Sequence, residues 1–310
     1  MPDKSDITIE YGSLWPEGHF GRTVAQGFAD AIKAGTDGRI TVIVTPPLSD
    51  DGLTQDVLSG KIAMTSGHAI QDYVPELGLG YLPYLYDSYD EFRSVWTLGS
   101  PISNDILSYF QKRKIKAVPI GYSVIGFRDM ILKNRSIEKA SDFKSLKVRN
   151  DGSSTTHDVF KAFGADPQVI EYHKVKEALA DGTIQAAANT TYNLIYMQWY
   201  QETTNVSLTS HQILTNLEIV NIDFWNSLSK NDQDLFRASM HDACALFAQT
   251  AQKERSLAID KLGGALGMQV NEVSAETKAQ LAREVEPMKR AFVAQYQLEK
   301  EYEKILAMSK

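Results

Sequence analysis

Residues 58–63 read Leu58-Ser59-Gly60-Lys61-Ile62-Ala63, and residues 179–185 read Leu179-Ala180-Asp181-Gly182-Thr183-Ile184-Gln185. In both, an apolar helix end runs into a glycine and then into an apolar strand. Glycine closes a helix in the left-handed conformation without a steric penalty. Each strand then ends in small polar residues, Thr65-Ser66-Gly67-His68 in one and Asn189-Thr190-Thr191 in the other. In open α/β sheets, ligands sit beyond the carboxyl ends of the strands. Two such ends, one per lobe, would face each other across a cleft. The alternative is that both stretches are ordinary helix-to-strand punctuation.

The same alternation extends outward from these stretches. Ile7 to Tyr11, Ile40 to Val44, Ile62 to Ser66 and Ile115 to Ile120 read as strands. Between them, helices are expected from about Gly18, over Asp50 to Leu58, over Glu91 to Leu98 and over Ile102 to Phe110. A second α/β run follows, with strands at Phe127 to Leu132, Leu146 to Arg149 and Ile184 to Ala188. Ser153-Ser154-Thr155 offers a cap for a helix carrying Val159, Phe160 and Phe163. Another helix is expected over 173–180. This order predicts two α/β lobes with largely parallel sheets. Beyond a strand at Asn216 to Asp223, long helical segments are expected at about Ser229 to Leu262 and Ser274 to Ala307, with a kink at Pro287. They would brace both lobes.

At 310 residues the chain exceeds a typical single core. A charged fraction of 23% and a hydrophobic fraction of 43% are those of a soluble globular protein, not a disordered one. The net charge of −7, with both signs interspersed, argues against a nucleic-acid partner, which needs a concentrated basic face. Cys244 is the only cysteine, so no intrachain disulfide forms; Phe236, Met240 and Phe247 at helical spacing predict a packing role for it. No stretch approaches the roughly 20 apolar residues of a membrane span. The start, Met1-Pro2-Asp3-Lys4-Ser5, carries no apolar leader core. That fits either a cytoplasmic protein or a chain whose signal peptide has been removed, and the abrupt entry into a strand at Ile7 resembles a trimmed mature start.

Motifs for catalysis do not assemble. The six histidines, at 19, 68, 157, 173, 211 and 241, include no pair at zinc-ligand spacing. Gly78-Leu79-Gly80 lacks the third glycine of a dinucleotide loop, and Gly121 to Gly126 is one residue too long for a nucleophile elbow. No metal, cofactor or enzymatic activity is therefore expected. Three polar residues near strand ends remain: Arg128, Arg149 and Asn189. A guanidinium matches a carboxylate as a rigid fork, and an amide adds a donor and an acceptor. On position alone, each arginine could as well be a surface residue or an internal ion-pair partner.

The chain resembles the solute-binding proteins of TRAP transporters, the DctP-like family, over almost its full length. The resemblance rests on His19-Phe20 and the helix containing Phe28, the Leu58 to Ile62 step, Leu82-Pro83-Tyr84-Leu85, Leu146-Lys147-Val148-Arg149 and Phe163-Gly164-Ala165-Asp166-Pro167. The family's segment around its asparagine is departed from: of Asp-Gly-Gln-Glu-Asn-Pro only Asn189 survives. The resemblance implies a two-lobed, periplasmic-binding-protein-like α/β fold with a ligand cleft and long C-terminal brace helices. It implies that Arg149 makes the main salt bridge to a ligand carboxylate, assisted by Arg128 and Asn189. Ser66 and His68 lie where some relatives place a polar ligand contact. Trp15 and His19 follow the first strand, Tyr172 precedes the 173–180 helix, and Tyr192 follows Asn189; each is a candidate pocket aromatic or, equally, a core residue. Trp225 is expected to pack against the brace helix.

The resulting expectation is a monomeric periplasmic protein with lobe I over 1–126 and 215–254 and lobe II over 127–214 and 255–310. It would capture a small organic acid by lobe closure and deliver it to the TRAP permease subunits. A hydroxylated sugar acid is preferred. A dicarboxylate stays open if Arg128 takes a second acid group, and an aromatic acid if Trp15, Tyr172 and Tyr192 line the cleft. An enzyme on the same scaffold and a ligand-sensing module are the rival classes.

Overall fold

The computed structural model describes residues 6–47, 50–67 and 69–308. The chain opens with β1 (Ile7–Ser13), α1 (Phe20–Gly35), β2 (Ile40–Pro47), α2 (Asp50–Ser59) and β3 (Met64–Gly67). Helix α1 buries Val24, Phe28 and Ile32 at helical spacing, and His19 Nδ1 caps it by accepting from the Gly21 amide. Helices α3 (Tyr89–Trp96) and α4 (Pro101–Lys112) follow; Ser100 caps α4, and Pro101 suits its first turn. Next come β4 (Ala117–Leu132), β5 (Lys147–Asn150), α5 (Ser154–Ala162), β6 (Asp166–Val169), α6 (Val175–Ala180), β7 (Ala186–Asn189) and α7 (Thr191–Tyr196). The chain closes with β8 (Asn205–Asn221), α8 (Ile222–Ser227), α9 (Lys230–Gly263), β9 (Gln269–Glu272), α10 (Ala275–Tyr296) and α11 (Glu299–Met308).

Gly60 and Gly182, the paired glycines of the opening motif, both lie at φ 81°. A side chain there would be strained, which is why glycine ends both helices. Ser153 caps α5 by accepting from the Thr156 amide at 3.0 Å. Ser153→Ala should therefore lower stability by about 1 kcal/mol, read as a shift of the urea midpoint without a change in slope.

Contacts divide the chain into two compact units. The first comprises Met1–Leu77, Tyr89–Ile125 and Thr215–Ala251; the second comprises Gly78–Ser88, Gly126–Leu214 and Gln252–Lys310. Segment 78–88, which the sequence reading placed in lobe I, packs with the second unit. The Tyr84 amide donates to the His211 carbonyl, Gln212 Nε2 donates to the Tyr81 carbonyl, and Gly78 lies against Phe292.

In the first unit, β1 pairs in parallel with β2 and β3, and β3 pairs antiparallel with the end of β8. Tyr11, Phe28, Ile32, Met64, Val220, Trp225 and Phe236 share its core. Trp225 shares this core with Phe236 and Met240 of α9 and carries the Arg237 guanidinium carbon 4.7 Å from its ring centre, so it packs against the brace helix as expected. In the second unit, β7 pairs in parallel with β5, β5 in parallel with β6, and β4 antiparallel with β7. Its core falls into one cluster around Phe143, Val148 and Phe160 and another around Leu179, Trp199 and Leu262.

Three expectations need correction. The strands expected at 115–120 and 127–132 are one 16-residue strand, β4, which passes from one unit to the other at Gly126. Proline and glycine are disfavoured inside strands, yet Pro119, Gly121 and Gly126 all lie within β4, and Gly126 sits at φ 134°, which glycine adopts without strain. The strand expected at Asn216 to Asp223 is the last part of β8, which begins at Asn205 and ends at Asn221. The parallel pairs expected are present, β1 with β2 and β3 and β5 with β6 and β7, while β8 and β4 add antiparallel pairs to β3 and β7. The final helix is broken: Gln297, at φ 56°, ends α10 before α11 begins.

Candidate functional site

Arg149 occupies the third position of β5, and burial on both faces of that short strand leaves it 7% exposed. Its Nε donates to the Ile170 carbonyl at 3.0 Å. Its guanidinium carbon sits 5.6 Å from the centre of the Tyr172 ring. No ion pair joins it to an acid among the described residues. Burial pushes its pKa below the usual guanidinium value, with Asp151 opposing and Arg128 adding to that shift. A buried cation without its own anion is a costly arrangement. It is not a surface arginine, and among the described residues it is not half of an internal pair.

Arg128, on β4, differs. Its Nη1 reaches Asp151 Oδ2 at 3.4 Å, and its Nη2 donates to the Ala188 carbonyl at 3.2 Å. Asp151 is held in turn by the Ser153 amide at 3.2 Å and by Thr156 Oγ1 at 3.3 Å. Asn189 ends β7; its Nδ2 donates to the Tyr172 hydroxyl at 3.4 Å, and its Oδ1 accepts from Asn193 Nδ2 at 3.1 Å. Tyr172 lies edge-on to Trp199 with ring centres 5.4 Å apart and is itself 40% exposed. The second unit thus brings Arg149, Arg128, Asn189 and Tyr172 into one connected group at the ends of β5 and β7. Tyr192 is 1% exposed and packs against Tyr196.

The first unit places its candidates in two groups. Trp15 stacks on His19 at 4.5 Å and leans on Phe247 at 5.4 Å. Ser66, at the end of β3, donates to Glu218 Oε1 at 2.8 Å and accepts from Asn216 Nδ2 at 3.3 Å. His68 lies outside the described residues.

Glu218 was missed in the sequence. It is 2% exposed, and it also accepts from Ser123 Oγ at 2.5 Å and from the Tyr11 hydroxyl at 2.7 Å. Burial raises its pKa above the ordinary 4.5, with Ser123, Tyr11 and Ser66 opposing. Nothing in Asn216-Leu217-Glu218-Ile219 announces this, because alternation there reads as a polar outer face. Asp151 was missed for a similar reason: it looks like a loop residue until β4 brings Arg128 to it. Cys244 is half-buried with its Sγ 3.6 Å from Ser123 Oγ, and burial pushes its thiol pKa up.

The chain can be compared with known proteins on this geometry. The model of the DctP family, described as bacterial extracellular solute-binding protein family 7, matches residues 11–295. An uncharacterized protein of Haemophilus influenzae is 31% identical over 189 residues, which is 60% of this chain and 56% of the relative, a little over half its length. A TRAP periplasmic solute-binding protein of Haemophilus influenzae, solved with bound L-gulonate, superposes with a TM-score of 0.90 at 22% identity, covering 98% of this chain and 100% of that one. A sugar acid binding protein of Advenella mimigardefordensis, solved with galactonate, gives a TM-score of 0.90 at 20% identity, covering 99% of each chain. The structural likeness fixes the fold, and the family match spans nearly every element described above: the chain belongs to the DctP family of bacterial extracellular solute-binding proteins, the TRAP-transporter binding proteins.

Proposed function

We propose that this chain captures a hydroxylated monocarboxylate, a sugar acid first of all, and hands it unchanged to the permease subunits of a TRAP transporter. The observation that carries the reading is Arg149, a buried guanidinium with no anion of its own among the described residues. A ligand carboxylate would supply that anion, bidentate and out of water. Arg128 already answers Asp151 and the Ala188 carbonyl, which supports one carboxylate per ligand and disfavours a dicarboxylate. Asn189 and Tyr172 offer hydrogen-bonding groups beside the anchor. Trp15 and Tyr192 are engaged with their own aromatic neighbours, which disfavours an aromatic acid. L-gulonate and galactonate, held by the two similar structures, belong to the favoured class.

The two units act as lobes that close on the acid, in a monomer working in the periplasm. Closure strengthens the Arg149 attraction by excluding water and needs no reacting group. The site residues remain binding groups: no step breaks or forms a covalent bond.

A thermal-shift screen tests this directly. L-gulonate, D-glucuronate and galactonate should raise the melting temperature, since a ligand at a hundred times its Kd adds about 2.7 kcal/mol of stability. Succinate should do so only weakly. A screen in which neutral sugars or cations alone stabilised the protein would overturn the carboxylate reading.

A further inference from the structure

Asp129 follows Arg128 on β4 and is fully buried. Its Oδ1 accepts from the Ser210 amide at 2.9 Å and from Ser210 Oγ at 3.3 Å. Its Oδ2 accepts from Arg255 Nη2 at 2.7 Å, and the same nitrogen donates to Ser210 Oγ at 3.1 Å. Burial raises the carboxyl pKa, while Arg255 and Ser210 oppose that shift.

What matters is where these residues sit in the chain. The last three passages between the units run inside continuous elements: β4 at Ile125/Gly126, β8 at Leu214/Thr215 and α9 at Ala251/Gln252. Asp129, Ser210 and Arg255 lie just on the second-unit side of those three passages. The excursion 78–88 is tied to the next two residues of β8, His211 and Gln212. Ser210 adopts φ 46°, a conformation that a serine in a strand holds only when its surroundings impose it. The backbone of these residues also adjoins the proposed ligand group. Asp129 pairs in register with Asn189, and Thr191 Oγ1 donates to the Arg255 carbonyl at 3.4 Å.

We propose that Asp129 is a positioning residue for ligand binding: its carboxylate ties β4, β8 and α9 together where they enter the second unit, and so couples the strand pair bearing Arg128 and Asn189 to those passages. A buried ion pair contributes little net stability over an apolar pair, and its best-attested use is to set the register of the elements it joins. Here that arrangement sets the backbone of two proposed ligand contacts. The proposal rests on the solute-binding reading for its ligand arm only.

The test uses Asp129→Asn and the double variant Asp129→Asn with Arg255→Gln. In ligand-free protein, hydrogen exchange in Asp129→Asn should speed up together in segments 126–132, 208–214 and 252–258, while β5 and β6 keep wild-type protection. Faster exchange confined to Ser210 would overturn the coupling. In calorimetry with L-gulonate and D-glucuronate, Asp129→Asn should bind about tenfold more weakly or worse. The double variant, which strands no charge, should recover the melting temperature but not the affinity. Recovery of both would reduce Asp129 to a structural residue and overturn the proposal. If Asp129→Asn does not fold, the double variant carries both measurements. If wild-type protein binds neither acid, the sugar-acid reading fails, and the exchange experiment on ligand-free protein still decides this one.

Discussion

Arg149→Ala should abolish measurable binding of sugar acids while leaving the ligand-free protein at least as stable as wild type. The two halves of this result have one cause. Arg149 is desolvated without a paired acid among the described residues, so the unliganded protein holds a costly charge. In the proposed function that cost is offset when a ligand carboxylate arrives. Removing the guanidinium would leave the ligand's carboxylate buried and unpaired, a loss of about 3–5 kcal/mol, or roughly a hundredfold to several thousandfold in affinity. Calorimetry should show no heat at ligand concentrations that saturate wild type, while the ligand-free melting temperature stays level or rises. Arg149→Lys should retain part of the affinity, since an ammonium keeps the charge but loses the fork. Undiminished affinity in Arg149→Ala would mean that the anchor lies elsewhere.

The second large effect concerns stability. Glu218→Ala would strip the acceptor from Tyr11, Ser66 and Ser123 at once. Each buried donor left unsatisfied costs about 1–3 kcal/mol, so the variant should lose on the order of 3–5 kcal/mol. Glu218→Gln keeps the shape and one acceptor and should lose far less. The two states of the carboxyl add a pH signature. Its folded pKa is raised above the ordinary 4.5, so the folded protein holds a proton that the unfolded chain has released. Stability from this group is therefore greatest below about pH 4.5 and falls as pH rises through the raised folded value. Asp129, whose pKa is raised for the same reason, adds a slope of the same sign. Chemical denaturation against pH should show a shallower decline in Glu218→Gln than in wild type. An unchanged slope would show that Glu218 does not titrate differently on folding.

Legibility in the sequence followed the range of the interaction. Gly60 and Gly182 were readable because a helix stop is decided by one residue's backbone freedom, and both lie at φ 81°. Ser153 was readable as a cap because its partner, the Thr156 amide, is three residues away. The face of α1 was readable because helical spacing is local. By contrast, β4 looked like two strands, since Pro119, Gly121 and Gly126 are breakers by local propensity alone. Hydrogen bonding of β4 to its sheet neighbours β8 and β7 overrides that propensity, and no window of neighbouring residues contains it.

By itself the sequence determined the α/β alternation, the amphipathic helices, the helix stops and, through its motif order, the family, and it singled out Arg149 as the proposed anchor. Tertiary structure alone decided which charges are answered. Arg128 meets Asp151 across 23 positions, Asp129 meets Arg255 across 126, and Glu218 meets Tyr11 across 207, whereas Arg149 meets no acid among the described residues. Ion pairs and buried hydrogen bonds depend on distances of a few ångströms between residues far apart in sequence. Only the folded backbone sets those distances, and with them the difference between an arginine that meets an acid, Arg128, and one that meets none among the described residues, Arg149.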